Sequence, residues 1–167
     1  MRTRVWKFAV LVAGVLAVLL PVGVAGASEK DGSLEERLLG ASEGLQMPGS
    51  ESDSGWWFVS YPGEERLPTV ERMADITGCS DYPEGGMARF DFDATLDTLS
   101  RVEPWMDEGQ RASAHGFGKL RKVFHREYGD ELVVYRCETG EYGQVHIYFL
   151  GSRADGLSGL LTTNTET

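Results

Sequence analysis

The chain predicts an α+β fold, one sheet with helices packed on both of its faces. Three features lead there. Gln144 to Leu150 alternates as a strand does, yet Val145, Ile147 and Phe149 make one face apolar while His146, Tyr148 and Leu150 make the other largely so. A strand of that kind needs cover on both sides. Phe117, Leu120, Phe124 and Tyr128 recur at helical spacing, with Lys119, Arg121, Lys122 and Arg126 off their face, the pattern of a long amphipathic helix. Ser33-Leu34-Glu35-Glu36 has the Ser-x-x-Glu form of a capping box and opens a second helix.

The elements follow in order. Leu34, Leu38, Leu39 and Leu45 continue the first helix, and the Gly, Pro, Ser and acid stretch from Met47 to Gly55 ends it in an exposed loop. Trp56-Trp57-Phe58-Val59-Ser60-Tyr61 then reads as a strand. Pro62 to Pro68 is a turn region, Leu67 to Thr77 is ambiguous, Gly78 to Gly86 is loop and Met87 to Phe92 a strand. From Asp93, Leu96, Leu99 and Val102 recur every three residues as far as Pro104, a short helix. Asp107, with Gln110 three residues on, caps the long helix, against which Gly116 and Gly118 count. Leu132 to Arg136, Gln144 to Leu150 and Gly156 to Thr163 are the closing strands.

The N-terminus points to export. Arg2, Arg4 and Lys7 precede an apolar run from Phe8 to Leu20, and Ala25-Gly26-Ala27 is a small-x-small cleavage pattern. A signal peptide over residues 1–27 is expected, cut after Ala27; the alternative is an uncleaved anchor, for which Phe8 to Ala27 is just long enough. Cleavage leaves a single domain over residues 28–167, secreted or periplasmic, with no membrane contact of its own. Its 13 basic and 26 acidic residues give a net charge of -13, against -10 for the whole chain. So acidic a surface disfavours nucleic acid and anionic lipid as direct partners and suits a basic macromolecule or simple solubility. Cys79 and Cys137 are the only cysteines, and in an oxidising compartment they are expected to pair; two buried free thiols are the alternative.

Catalytic signatures are weak. Asp91-Phe92-Asp93-Ala94-Thr95 is similar to the nucleophile loop of haloacid dehalogenase-like phosphatases, but the residues downstream offer no convincing phosphate-pairing Lys or metal-binding acids. A strand end and helix cap built from Asp is the better reading. His115, His125 and His146 stand apart in sequence, and Gly156-Leu157-Ser158-Gly159 lacks the spacing of a nucleophile elbow. Trp56, Trp57 and Trp105 are expected in the core more than on a ligand platform. No enzyme activity and no cofactor is expected.

Read as a whole, the first helix, then Leu45-Gln46-Met47-Pro48-Gly49-Ser50-Glu51-Ser52-Asp53, then an aromatic strand, resembles the nuclease A inhibitor family. Thr77-Gly78, Asp91-Phe92-Asp93, Trp105-Met106-Asp107-Glu108, Lys119-Leu120, Val134-Tyr135-Arg136, Gly151 to Gly159 and the terminal Glu166-Thr167 continue in the family's order, so the resemblance covers about residues 33 to 167. It implies an α/β/α sandwich with a mainly antiparallel sheet, and inhibition of a non-specific, Mg-dependent DNA and RNA endonuclease with a basic cleft. Glu51 would reach toward the metal of the partner nuclease, as a hard carboxylate oxygen replacing a phosphate oxygen. Thr167 would add the C-terminal carboxylate and a hydroxyl. Ser50, Ser52 and Asp53 belong to the same loop, and Trp56 and Trp57 flank it as contacts by position. After Asp53 the family commonly runs into Tyr-Pro-Phe, where this chain has Ser54-Gly55-Trp56-Trp57. An exported domain of this fold with a different protein or ligand target is the alternative function.

Overall fold

A computed structural model describes residues 32–50, 55–82, 86–140 and 143–165. Residues 31–167 form one compact unit. Its elements are α1 (Leu34–Ser42), β1 (Trp56–Tyr61), α2 (Val70–Thr77), a 3-10 turn (Cys79–Asp81), β2 (Gly86–Phe90), α3 (Phe92–Leu99), α4 (Glu108–Tyr128), β3 (Leu132–Glu138), β4 (Gln144–Arg153) and β5 (Gly156–Thr165). The strands form one sheet in the order β1-β5-β4-β3-β2, every neighbouring pair antiparallel. The α+β class and the two-sided covering of the sheet are as the sequence predicts.

Local chemistry sets most boundaries. Both capping boxes form: the Ser33 hydroxyl accepts from the Glu36 amide while the Glu36 carboxylate accepts from Ser33, and Asp107 and Gln110 repeat the arrangement at α4. The ambiguous stretch before Gly78 is α2, whose start is capped by the Thr69 hydroxyl and whose end is Gly78 at φ 71°. α3 begins at Phe92, one residue earlier than expected, because the Asp91 carboxylate accepts from the Ala94 amide at 2.7 Å and so ends β2 at Phe90. α1 stops at Ser42 rather than running on to Leu45. Leu45 turns inward instead and lies over Gly116, where an added Cβ would fall 2.2 Å from its methyl carbon. The glycine that weakens the helix locally is the place where the preceding chain packs onto it.

Strand alternation divides the core in two. On one face Phe117, Leu120, Phe124 and Tyr128 of α4, Phe92 and Leu96 of α3 and Leu38 of α1 pack on Val134, Val145, Ile147, Phe149 and Leu160. On the other, Met73 of α2 and Cys79 cover Val133, Tyr135, Cys137, Tyr148, Leu150 and Leu157. β4 contributes to both clusters, as its two apolar faces require. The second face carries the thinner layer, and there Cys79 and Cys137 are joined by a disulfide with a Cα–Cα distance of 6.0 Å. Near the β4–β5 turn Tyr128 lies flat over Gly151, with an added Cβ only 2.2 Å from the ring, and its hydroxyl is 3.0 Å from that of Ser158. No helix among the described residues is long and apolar enough to cross a membrane.

Candidate functional site

The connection from α1 to β1 is held at both of its described ends. The Gln46 amide donates to the Ser113 hydroxyl of α4 at 3.2 Å, and the Trp56 indole N–H donates to the Leu45 carbonyl at 3.0 Å. A tight turn follows, in which the Ser50 amide donates to the Met47 carbonyl at 3.3 Å and Gly49 adopts φ 75°. At the far end the Gly55 carbonyl accepts from the Thr162 hydroxyl of β5 at 3.0 Å. Such clamping fixes where the loop leaves and re-enters the domain, and so limits the entropy lost if its tip binds a partner.

Of the residues expected to contact a partner, Ser50, Trp56 and Trp57 are described; Glu51, Ser52, Asp53 and Thr167 lie outside the described residues. Ser50 meets the end of β5, its hydroxyl 3.5 Å from the Thr165 amide across 115 residues of sequence. The bases of the acidic loop and of the C-terminal residues are therefore neighbours. Trp56 faces α4, its ring centroid 6.2 Å from that of Phe117 and 5.6 Å from that of Phe149. Trp57 points to the opposite face of the sheet and is 50% exposed.

Trp105, expected in the core, is instead 71% exposed. It sits in the α3–α4 connection, on a turn in which the Met106 amide donates to the Glu103 carbonyl at 3.2 Å. A groove of about 500 Å³ between this turn and the loop is lined by Met47, Ser50, Trp105, Met106 and Gln110 among others. A second groove, of about 440 Å³, shares Met47, Pro48, Trp105 and Met106 and extends to Phe90 and Leu99. One exposed indole thus joins two apolar grooves beside the Ser50 turn, the form of an interface anchor. The sequence signal for it was its setting: Trp105 follows Pro104, precedes the cap Asp107, and fits the apolar stripe of neither helix.

The other polar groups hold structure together. The Asp93 carboxylate accepts from Arg121 Nε at 2.7 Å and from His125 Nε2 at 2.8 Å, tying α3 to α4. The hydrogen bond from His125, reinforced by Arg121, keeps the Asp93 carboxyl below its usual range. On the other side of α4, Arg37 of α1 forks onto Glu127 with contacts of 3.0 and 2.8 Å, and this holds Glu127 below the ordinary Glu range. Burial lowers the pKa of His146 on β4, and His115 lies exposed on α4. Asp91 is a helix cap, Asp93 is held by its ion pair with Arg121 and its hydrogen bond with His125, and among the described residues no group of three or more His, Cys, Asp or Glu could hold a metal ion. No protein-family model matches the chain, and no curated protein matches it.

Proposed function

We propose that this chain is an exported protein inhibitor of a non-specific, Mg-dependent DNA and RNA endonuclease. One observation carries the reading: Ser50 and Thr165 meet at 3.5 Å, so the loop that continues into Glu51 and the strand that continues toward Thr167 start from one place. Two carboxylates offered from adjacent points suit a cleft that grips a phosphodiester through a metal and basic side chains. Glu51 takes the metal's phosphate-oxygen position, and the terminal carboxylate of Thr167 pairs with the basic groups. Trp105 and the grooves beside it supply the apolar contact that a charged centre lacks, and the acidic excess of the chain steers it toward a basic cleft. Export follows from the basic start, apolar run and Ala25-Gly26-Ala27 of the N-terminus.

The test is titration of the purified protein against such a nuclease with Mg present, following DNA cleavage. Suppression at a one-to-one ratio is expected. Glu51→Gln removes the charge and keeps the shape, and loss of a buried interface charge should weaken inhibition by roughly 30-fold or more. Undiminished cleavage at excess protein would overturn the reading. Ser54-Gly55-Trp56-Trp57 in place of the family's Tyr-Pro-Phe, with Trp56 turned into the core, favours as a second reading the same surface serving a different protein target.

A further inference from the structure

At the end of the sheet away from the Ser50 turn, the β4–β5 turn, the start of β3 and the chain before α2 border a pocket of about 570 Å³. Arg66, Arg89 and Arg153 line it together with Glu65 and Glu131. The backbone around these charges is fixed. The Ser152 hydroxyl donates to the Glu65 carbonyl at 2.7 Å and the Ser152 amide to the Glu131 carbonyl at 2.9 Å, so one buried residue of β4 ties down both flanking segments. Arg89 stands in β2 opposite Tyr135, and Glu64, which accepts from Arg72 of α2, anchors the chain just before Arg66. Charges of opposite sign that share a pocket ordinarily pair, and here they do not. Among the described residues Arg66 and Arg89 have no ion-pair partner, and Arg153 reaches only the exposed carboxylate of Asp155, at 3.6 Å. Elsewhere Arg37, Arg72 and Arg121 are each gripped by a carboxylate, so the open arginines of this pocket are a local departure.

We propose that this pocket binds a small sugar phosphate, with the guanidinium groups of Arg66, Arg89 and Arg153 on the phosphate and the carboxylates of Glu65 and Glu131 accepting from sugar hydroxyls. A guanidinium presents a planar fork that matches phosphate oxygens, and three of them around one dianion share its charge. An ionised carboxylate only accepts, which a hydroxyl satisfies and a second phosphate does not. The same two acids, on a chain already acidic, turn away nucleic acid and other polyanions. The pocket is roomier than a phosphate ion needs, and Leu67 in its lining offers the carbon face of a sugar an apolar contact. Because the backbone holds the arginines and glutamates apart before any ligand arrives, little ordering is left for binding to do. β5 runs ten residues from this turn to Thr165, about 30 Å, so the site is separate from the Ser50 end and independent of any action on a nuclease.

Amide NMR spectra of the isotope-labelled protein, purified after expression of the full chain, test this by titration with glucose 6-phosphate, inorganic phosphate and glucose in turn at matched ionic strength. Saturable shifts are expected at the amides around Arg66, Arg89, Glu131 and Arg153, with a dissociation constant of roughly 1 mM or below for glucose 6-phosphate. Inorganic phosphate should bind the same amides several-fold more weakly, and glucose should leave them unmoved. Arg66→Gln and Arg89→Gln each remove one charged contact and should weaken binding roughly ten-fold. Both side chains stand exposed, so the melting temperature should hold, and either variant serves should the other fold poorly. Glu131→Ala should weaken glucose 6-phosphate and leave inorganic phosphate no weaker. Shifts absent from these amides or tracking ionic strength alone, equal affinity for phosphate and glucose 6-phosphate, or binding untouched by both arginine variants would each overturn the proposal.

Discussion

Breaking the Cys79–Cys137 link should cost this domain about 4 kcal/mol by the chain-entropy estimate for a closed loop of this length. The bond spans 58 residues of sequence and ties the turn after α2 to β3. With an unfolding entropy of about 2.1 cal/mol/K per residue over residues 31–167, that loss corresponds to a fall in melting temperature of about 14 °C. Differential scanning calorimetry of oxidised and fully reduced protein measures it directly. A Cys79→Ala/Cys137→Ala variant checks that the effect belongs to the link and not to the reductant. It should melt at or slightly below the reduced protein, since both sulfurs are buried and their removal leaves small voids. The loss should also be uneven in space: among the described residues α2 is the one α-helix on its face of the sheet, so its amides should lose hydrogen-exchange protection first. A fall of less than about 1 kcal/mol, or exchange lost uniformly, would refute this account of how the thinner layer is held.

Three further outcomes follow from the packing and the charges. Gly151→Ala drives a methyl group into the Tyr128 ring and should destabilise by about 1–3 kcal/mol in urea unfolding, whereas Gly40→Ala, with open space around it, should not destabilise. His146 has a folded pKa below its ordinary 6.5 because burial disfavours the charged ring; the unfolded chain therefore takes up that proton first, so the contribution is complete above about pH 6.5 and is lost as pH falls. Glu127, held low by its hydrogen bonds from Arg37 and Arg126, and Asp93, held low by its hydrogen bonds from His125 and Arg121, act in the same direction from about pH 4.5 downward. Urea midpoints measured against pH should decline on acidification, and His146→Gln should flatten the near-neutral part of that curve. Trp105→Ala should leave the melting temperature nearly unchanged, since the indole is 71% exposed, yet weaken partner binding by about 2 kcal/mol in isothermal titration.

What could be read from the sequence alone was decided by groups a few residues apart. The Ser33/Glu36 and Asp107/Gln110 capping boxes are closed by side chains reaching amides three residues away, so the starts of α1 and α4 were legible. The two apolar faces of β4 called for cover on both sides whatever covered them, and two cysteines in one chain left a single possible intramolecular pairing. α2 was not legible, because eight residues make a marginal helix by themselves and its Met73 matters only once β3 and β4 present a face to cover. The end of α1 at Ser42 was hidden for a similar reason: Leu45 leaves the helical path to fill the space over Gly116, 71 positions further along. Trp105 looked like core by composition, and only the packing of α3 and α4 leaves it standing in solvent. The approach of Ser50 to Thr165 depends on β1 pairing with β5, a choice of register among distant strands that no local energy determines.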